Sequence, residues 1–156
     1  MHIFVGNASL LCDTVWKVSQ ELPKYEVRVL QGRRMQTEDG LFQEFAAALQ
    51  FPYYFGNNWP ALDECLADLE WLPAEGYILF LSEAPLILAN SGSSVEDLVE
   101  VLSQAADYWS VETHPGSPFQ REARPFHVVF NCALEDESVV QSKLAALSPS
   151  RTLLEE

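Results

Sequence analysis

Hydrophobic and polar residues follow one another along the chain in patterns that predict both strands and helices. Four short apolar segments are predicted strands, and the last two are nearly unbroken apolar runs, which is typical of strands covered on both faces. The predicted strands are 2–6, 25–30, 76–82 and 126–132.

Apolar residues at helical spacing predict five helices between and after these strands. Residues that favour the N-cap position precede or open the first four of them: Ser9, Thr37 or Asp39, Asn58, and Ser93 or Ser94. The predicted helices end near residues 22, 49, 69 and 109, and a fifth covers 135–147, with 148–156 expected to fray. The alternation of strands and helices predicts an α/β fold with parallel pairing, and 156 residues without a repeat or a linker fit one domain.

Negative charge is the strongest global feature of the composition. The chain has 23 acidic and 9 basic residues, and no Lys or Arg occurs from Met35 through Gln120, a window that holds 14 of the acids. A field of one sign repels nucleic-acid phosphate and speeds encounter with a basic partner. Solubility also requires net charge, although it does not require a window without bases.

Other classes of function find little support in the sequence. No apolar run approaches the roughly 18–20 residues that cross a membrane, and the first residues do not resemble a secretion signal. Three scattered cysteines favour a reducing cytoplasm and buried thiols. Histidine spacing predicts no metal site, no glycine-rich loop suggests a cofactor, and no catalytic residues are expected.

The segment 51–69 combines aromatic residues, two asparagines and a helix that carries acids. If Leu62 marks the buried side of that helix, Glu64, Ala67 and Asp68 point outward at 100° per residue. The positive end of the helix dipole offers another explanation for Asp63 and Glu64. Exposed Tyr and Trp near acids are typical of a hot spot for a basic partner, whereas the asparagines equally suit turn and cap positions.

The order of residues from Tyr53 to Leu66, together with the elements around it, resembles the barstar family of bacterial intracellular ribonuclease inhibitors. The resemblance covers about 27–131, with 1–26 and 132–156 as terminal additions. It implies a three-stranded parallel sheet in the order 1-2-3, flanked by helices. It also implies an inhibitor whose acidic helix and preceding loop plug the active site of a basic nuclease.

The resemblance carries over unevenly at single positions. Glu64 stands at the key helix acid of the family, one methylene longer, and Tyr54, Gly56 and Asn58 stand at contacting loop positions. Pro60 and Gln104 stand where the family has acids, and Asp63 stands where it has Trp.

The sequence therefore predicts a cytoplasmic, non-enzymatic inhibitor, monomeric when free, that binds a basic ribonuclease. The alternative is the same fold binding a basic partner that is not a nuclease, and an enzyme would require a concave pocket with a perturbed titratable group. The predicted partner-binding residues are Tyr53, Tyr54, Gly56, Asn57, Asn58, Trp59, Asp63, Glu64, Ala67, Asp68 and Gln104.

Overall fold

A computed structural model describes residues 1–118, 120–145 and 152–153, which form a parallel β-sheet with helices on both faces. The strands are β1 (His2–Val5), β2 (Tyr25–Gln31), β3 (Gly76–Ser82), β4 (Phe126–Cys132) and β5 (Thr152–Leu153). The helices are α1 (Ala8–Glu21), α2 (Glu38–Leu49), α3 (Trp59–Asp68), α4 (Val95–Trp109) and α5 (Glu137–Ala145). The predicted fraying of 148–156 lies outside the described residues, apart from the two residues of β5.

The sheet has the order β2-β3-β4-β1-β5, so the expected three-stranded sheet in the order 1-2-3 is wrong. Strands β2, β3 and β4 do lie side by side in chain order, but β1 adds a further strand beyond β4, with His2 opposite Val129. The physical reason is that β4 is buried, so the backbone N–H and C=O groups on both of its edges need hydrogen-bond partners. Strand β1 supplies that neighbour, and its Ile3 is buried in the main core.

The two faces of the sheet pack against different helices. Tyr77, Leu79 and Leu81 of β3 point into the main core, which α2, α3 and α4 cover. Ile78 and Phe80, between them, point to the opposite face, where α1 covers a smaller core. Because successive side chains alternate between faces, this double burial explains the apolar run that lacks alternation.

Side-chain caps set the beginnings of the helices. The Oδ1 of Asn7 accepts from the N–H of Leu10 at 3.0 Å, so α1 begins slightly earlier than a Ser9 cap predicted. Thr37 caps α2, and Ser94 precedes α4, where its N–H donates to the Asp97 carboxylate at 2.8 Å. In the described part of the chain, no helix combines the length and the apolar character that a membrane span requires.

The packing of α1 generates a stability prediction with a neighbouring control. Leu11 of α1 is buried and Leu10 is exposed. Leu11→Ala should lower the free energy of unfolding by about 2–4 kcal/mol, because it leaves a cavity, whereas Leu10→Ala should change it by less than about 0.5 kcal/mol. Urea denaturation measures both changes in the free energy of unfolding. Equal small effects would show that α1 packs only weakly against the sheet.

Candidate protein-binding surface

The loop before α3 exposes its two tyrosines and folds its phenylalanines inward. Tyr53 is fully exposed, Tyr54 is 65% exposed, and their rings pack edge to face with centroids 5.6 Å apart. Phe51 and Phe55 meet edge to face with centroids 4.9 Å apart and pack against the main core. The loop therefore presents its tyrosines to solvent, while its phenylalanines attach it to the core.

Two asparagines and a glycine join this loop to α3. Asn57 adopts a left-handed backbone with φ 50°, a conformation that Asn tolerates better than most residues. Asn58 caps α3, since its Oδ1 accepts from the Ala61 N–H at 2.9 Å, and its Nδ2 donates to the Gly56 carbonyl at 3.2 Å. A Cβ at Gly56 would lie only 3.0 Å from that Nδ2, so the tight approach favours glycine. The asparagines thus hold the loop, whatever else they contact.

The orientation of α3 follows from its buried stripe. Leu62, Cys65 and Leu66 are buried, so Leu62 does mark the inner side, and the helix packs against α4 through a hydrogen bond from Trp109 Nε1 to the Leu66 carbonyl at 2.8 Å. Glu64 and Asp68 are exposed on the opposite side, and Asp63 and Ala67 are half-buried. The predicted outward face is therefore present.

The acids on this face form no ion pair with the described part of the chain. Within residues 1–118, 120–145 and 152–153, the ion pairs involve Glu26, Glu44, Glu75 and Glu83, and no Lys or Arg lies within 4 Å of the carboxylates of α3. Burial, together with the charges of Asp68 and Glu64, raises the pKa of the Cys65 thiol. The first turn of α3 contains no acid, so the helix dipole, which acts within that turn, does not account for Asp63 and Glu64.

The Trp59 side chain is held by contacts with α2. Its ring is half-buried and packs edge to face on Phe42, with centroids 5.2 Å apart, and its Nε1 donates to Glu38 Oε1 at 2.8 Å. The hydroxyl of Ser93 donates to the same oxygen. These two hydrogen bonds hold the pKa of Glu38 below its ordinary value, and the bond from Ser93 has the larger effect. Trp59 therefore fixes the start of α3 to α2, a role that the sequence did not suggest.

Gln104, also predicted to bind the partner, lies on α4 and not on the outer face of α3. It is exposed, and its amide donates to the Glu100 carboxylate at 3.3 Å. Tyr108, farther along α4, is exposed as well, and Arg121 covers its ring. Neither Tyr108 nor Arg121 was predicted, because their contact joins residues 13 positions apart through the irregular segment after α4.

Comparison with known proteins identifies the family. Residues 25–131 match the family model described as Barstar (barnase inhibitor), which is more than half of the chain. The chain belongs to the barstar family. A search of the curated proteins gives no match.

Membership of the barstar family bears on what the surface does. The family is one of inhibitors rather than enzymes, and its description points to protein binding of the barnase-inhibitor type. The outer face of α3 and the loop 53–58 both fall inside the matched residues. Among the described residues, no group of three or more His, Cys, Asp or Glu side chains could hold a metal ion.

The Glu38 interaction generates a pH prediction. A lowered pKa means that the hydrogen-bonded carboxylate stabilises the fold fully above the unfolded value near 4.5, and that this contribution is lost as the pH falls through the lower folded value. Trp59→Phe removes one of the two donors and should raise the pKa of Glu38. Carboxyl ¹³C NMR titration measures this shift directly.

The control for this titration is Trp71→Phe, which makes the same change at an indole that donates to the Leu49 carbonyl. It should leave the pKa of Glu38 unchanged. An unchanged Glu38 pKa in Trp59→Phe would show that the indole does not stabilise the carboxylate.

Proposed function

We propose that this chain inhibits a basic ribonuclease by placing α3 and the loop 53–58 in the phosphate-binding cleft of the enzyme. The observation that carries the proposal is the Glu64 carboxylate, which is exposed on the outer face of α3 in a member of the barstar family and forms no ion pair with any described residue. Carboxylates there would occupy the positions of substrate phosphates. Tyr54 would supply rigid contact area beside them.

The charge of the whole chain supports the same partner. A formal net charge of −14 attracts a basic protein over distances comparable to the screening length, about 10 Å at 0.1 M salt. Such a field also disfavours direct binding of RNA, so the inhibitor acts on the enzyme and not on its substrate. We extend the proposal to an immunity role in a bacterial cytoplasm, where the chain protects RNA from the nuclease.

A second candidate keeps the surface and changes the partner. Pro60 and Gln104 are neutral residues at positions where the barstar family has acids, and Gln104 is exposed on α4. A cleft shaped for three carboxylates would lose complementarity there. This observation favours a basic partner that is not a nuclease, and capture of such a protein from the native cell, with Glu64→Lys as the negative control, tests it.

Charge reversal at Glu64 tests the ribonuclease proposal. Glu64→Lys should weaken inhibition of a ribonuclease by at least about 30-fold, the effect expected of a central hot spot worth about 2 kcal/mol. Inhibition constants for barnase and for a panel of other small basic ribonucleases measure the change.

The matched control is Glu135→Lys, which makes the same charge change at an exposed residue outside the surface. It should alter inhibition by no more than about threefold, because it affects only long-range steering. Equal losses for the two variants, or no inhibition of any ribonuclease by the unmodified chain, would contradict the proposal.

Salt dependence gives an independent prediction for the same complex. The association rate should fall steeply between 50 and 500 mM salt, because steering by exposed charges is screened. The dissociation rate should change far less. Stopped-flow mixing measures both rates, and a salt-independent association rate would show that the negative field does not steer the encounter.

A further inference from the structure

A groove of about 880 Å³ lies beside the proposed binding face, between α3 and the irregular segment that joins α4 to β4. We call residues 110–118 and 120–125 the α4–β4 segment. One wall of the groove carries the acids Glu64, Asp68 and Glu70, and the other carries Tyr108, Thr113 and Arg121. Since Glu64 belongs both to the groove and to the outer face of α3, the two surfaces are continuous.

The wall formed by the α4–β4 segment is tied into a defined shape. Thr113 and Arg121 form an antiparallel bridge, with N–H to carbonyl distances of 2.9 and 3.0 Å. Inside the loop that this bridge closes, the Gly116 N–H donates to Gln120 Oε1 at 2.9 Å. The groove therefore has a second wall held by backbone hydrogen bonds.

The basic residues of the groove direct their charge into the protein. The Arg121 guanidinium lies 4.3 Å from the ring centre of Tyr108 and 4.4 Å from that of Trp109, and its Nη2 donates to the Tyr108 carbonyl at 2.6 Å. Its Nε and Nη1 atoms are buried. The positive charge thus interacts with the negative, C-terminal end of the α4 dipole and with two aromatic rings. Arg124 likewise donates to the Ala74 carbonyl, at 2.8 Å.

The acidic residues of the groove are in the opposite situation. Glu64, Asp68 and Glu70 are exposed, and among the residues that the structure describes no basic group lies within 4 Å of their carboxylates. The charge that the groove presents to a ligand is therefore negative, although acids and bases both line it. Its volume is in the range, about 300–1,000 Å³, of pockets that hold small-molecule ligands.

We propose that this groove receives a segment of the protein partner that carries Lys or Arg, as a second contact region next to the outer face of α3. The proposal rests on the proposed function, because it assumes a basic protein partner. It adds Glu70, Tyr108 and the α4–β4 segment to the surface, and it makes the aromatic wall a determinant of which basic segment fits. A nucleic acid would meet three exposed carboxylates there and is disfavoured.

Titration with a capped tetra-arginine peptide, followed by ¹H–¹⁵N NMR, tests the groove without any nuclease. The expected result is a saturable set of shifts confined to 64–70, Tyr108 and the α4–β4 segment. Asp68→Asn/Glu70→Gln should raise the dissociation constant of the peptide about fivefold, the effect of removing two partly exposed charge pairs. Glu21→Gln/Glu135→Gln makes the same charge change at two exposed sites outside the groove. It should raise the dissociation constant of the peptide less than about twofold.

Shifts scattered over the acidic surface, or equal weakening by the two double variants, would overturn the proposal by showing that net charge alone attracts the peptide. The same variants separate this inference from the proposed function. If a ribonuclease is inhibited equally well by Asp68→Asn/Glu70→Gln and by the unmodified chain, the groove proposal fails while inhibition stands. If no ribonuclease is inhibited but the peptide binds in the groove, the groove stands and the ribonuclease proposal fails.

Discussion

The burial of one stripe of α3 is the constraint on which the rest of the molecule depends. Leu62 and Leu66 have no exposed surface, and the hydrogen bond from the Trp109 indole to the Leu66 carbonyl joins the helix to α4. Because each residue advances a helix by 100°, fixing these two side chains inward fixes Glu64 and Asp68 outward. The tyrosine loop is then positioned by the Asn58 cap and by Trp59, which hold the first turn.

The acidic face is maintained by the way the chain uses its few bases. Like charges four residues apart, as at Glu64 and Asp68, cost a helix a few tenths of a kcal/mol, and a basic neighbour would relieve that cost. The fold instead directs the nearby bases elsewhere: Arg121 stacks on aromatic rings and Arg124 binds a backbone carbonyl. The acids of α3 therefore remain available to another molecule. The small loss of stability is consistent with a surface shaped for binding.

Local patterns predicted most of the helices and strands and the orientation of α3. The helix from Asn58, the buried stripe of α3 and all four long strands follow from periodicity and capping, which depend on residues close together in the chain. The three-stranded sheet was wrong because strand pairing is a long-range property: β1 pairs with a strand more than 120 residues away. The hydrogen bond of Trp59 with Glu38 and the groove wall around Arg121 have the same origin, since each is made by tertiary contacts that leave no local pattern.

The most direct test of the account is hydrogen–deuterium exchange of the chain alone and in complex with a ribonuclease that it inhibits. The account predicts that the amides protected by the complex are concentrated in 53–70, with further protection around Tyr108. The competing surface is α1, where Trp16 is 68% exposed and Leu10, six residues earlier in the same helix, is 43% exposed. Protection confined to α1, with the exchange of 53–70 unchanged, would contradict the claim that the outer face of α3 is the binding surface.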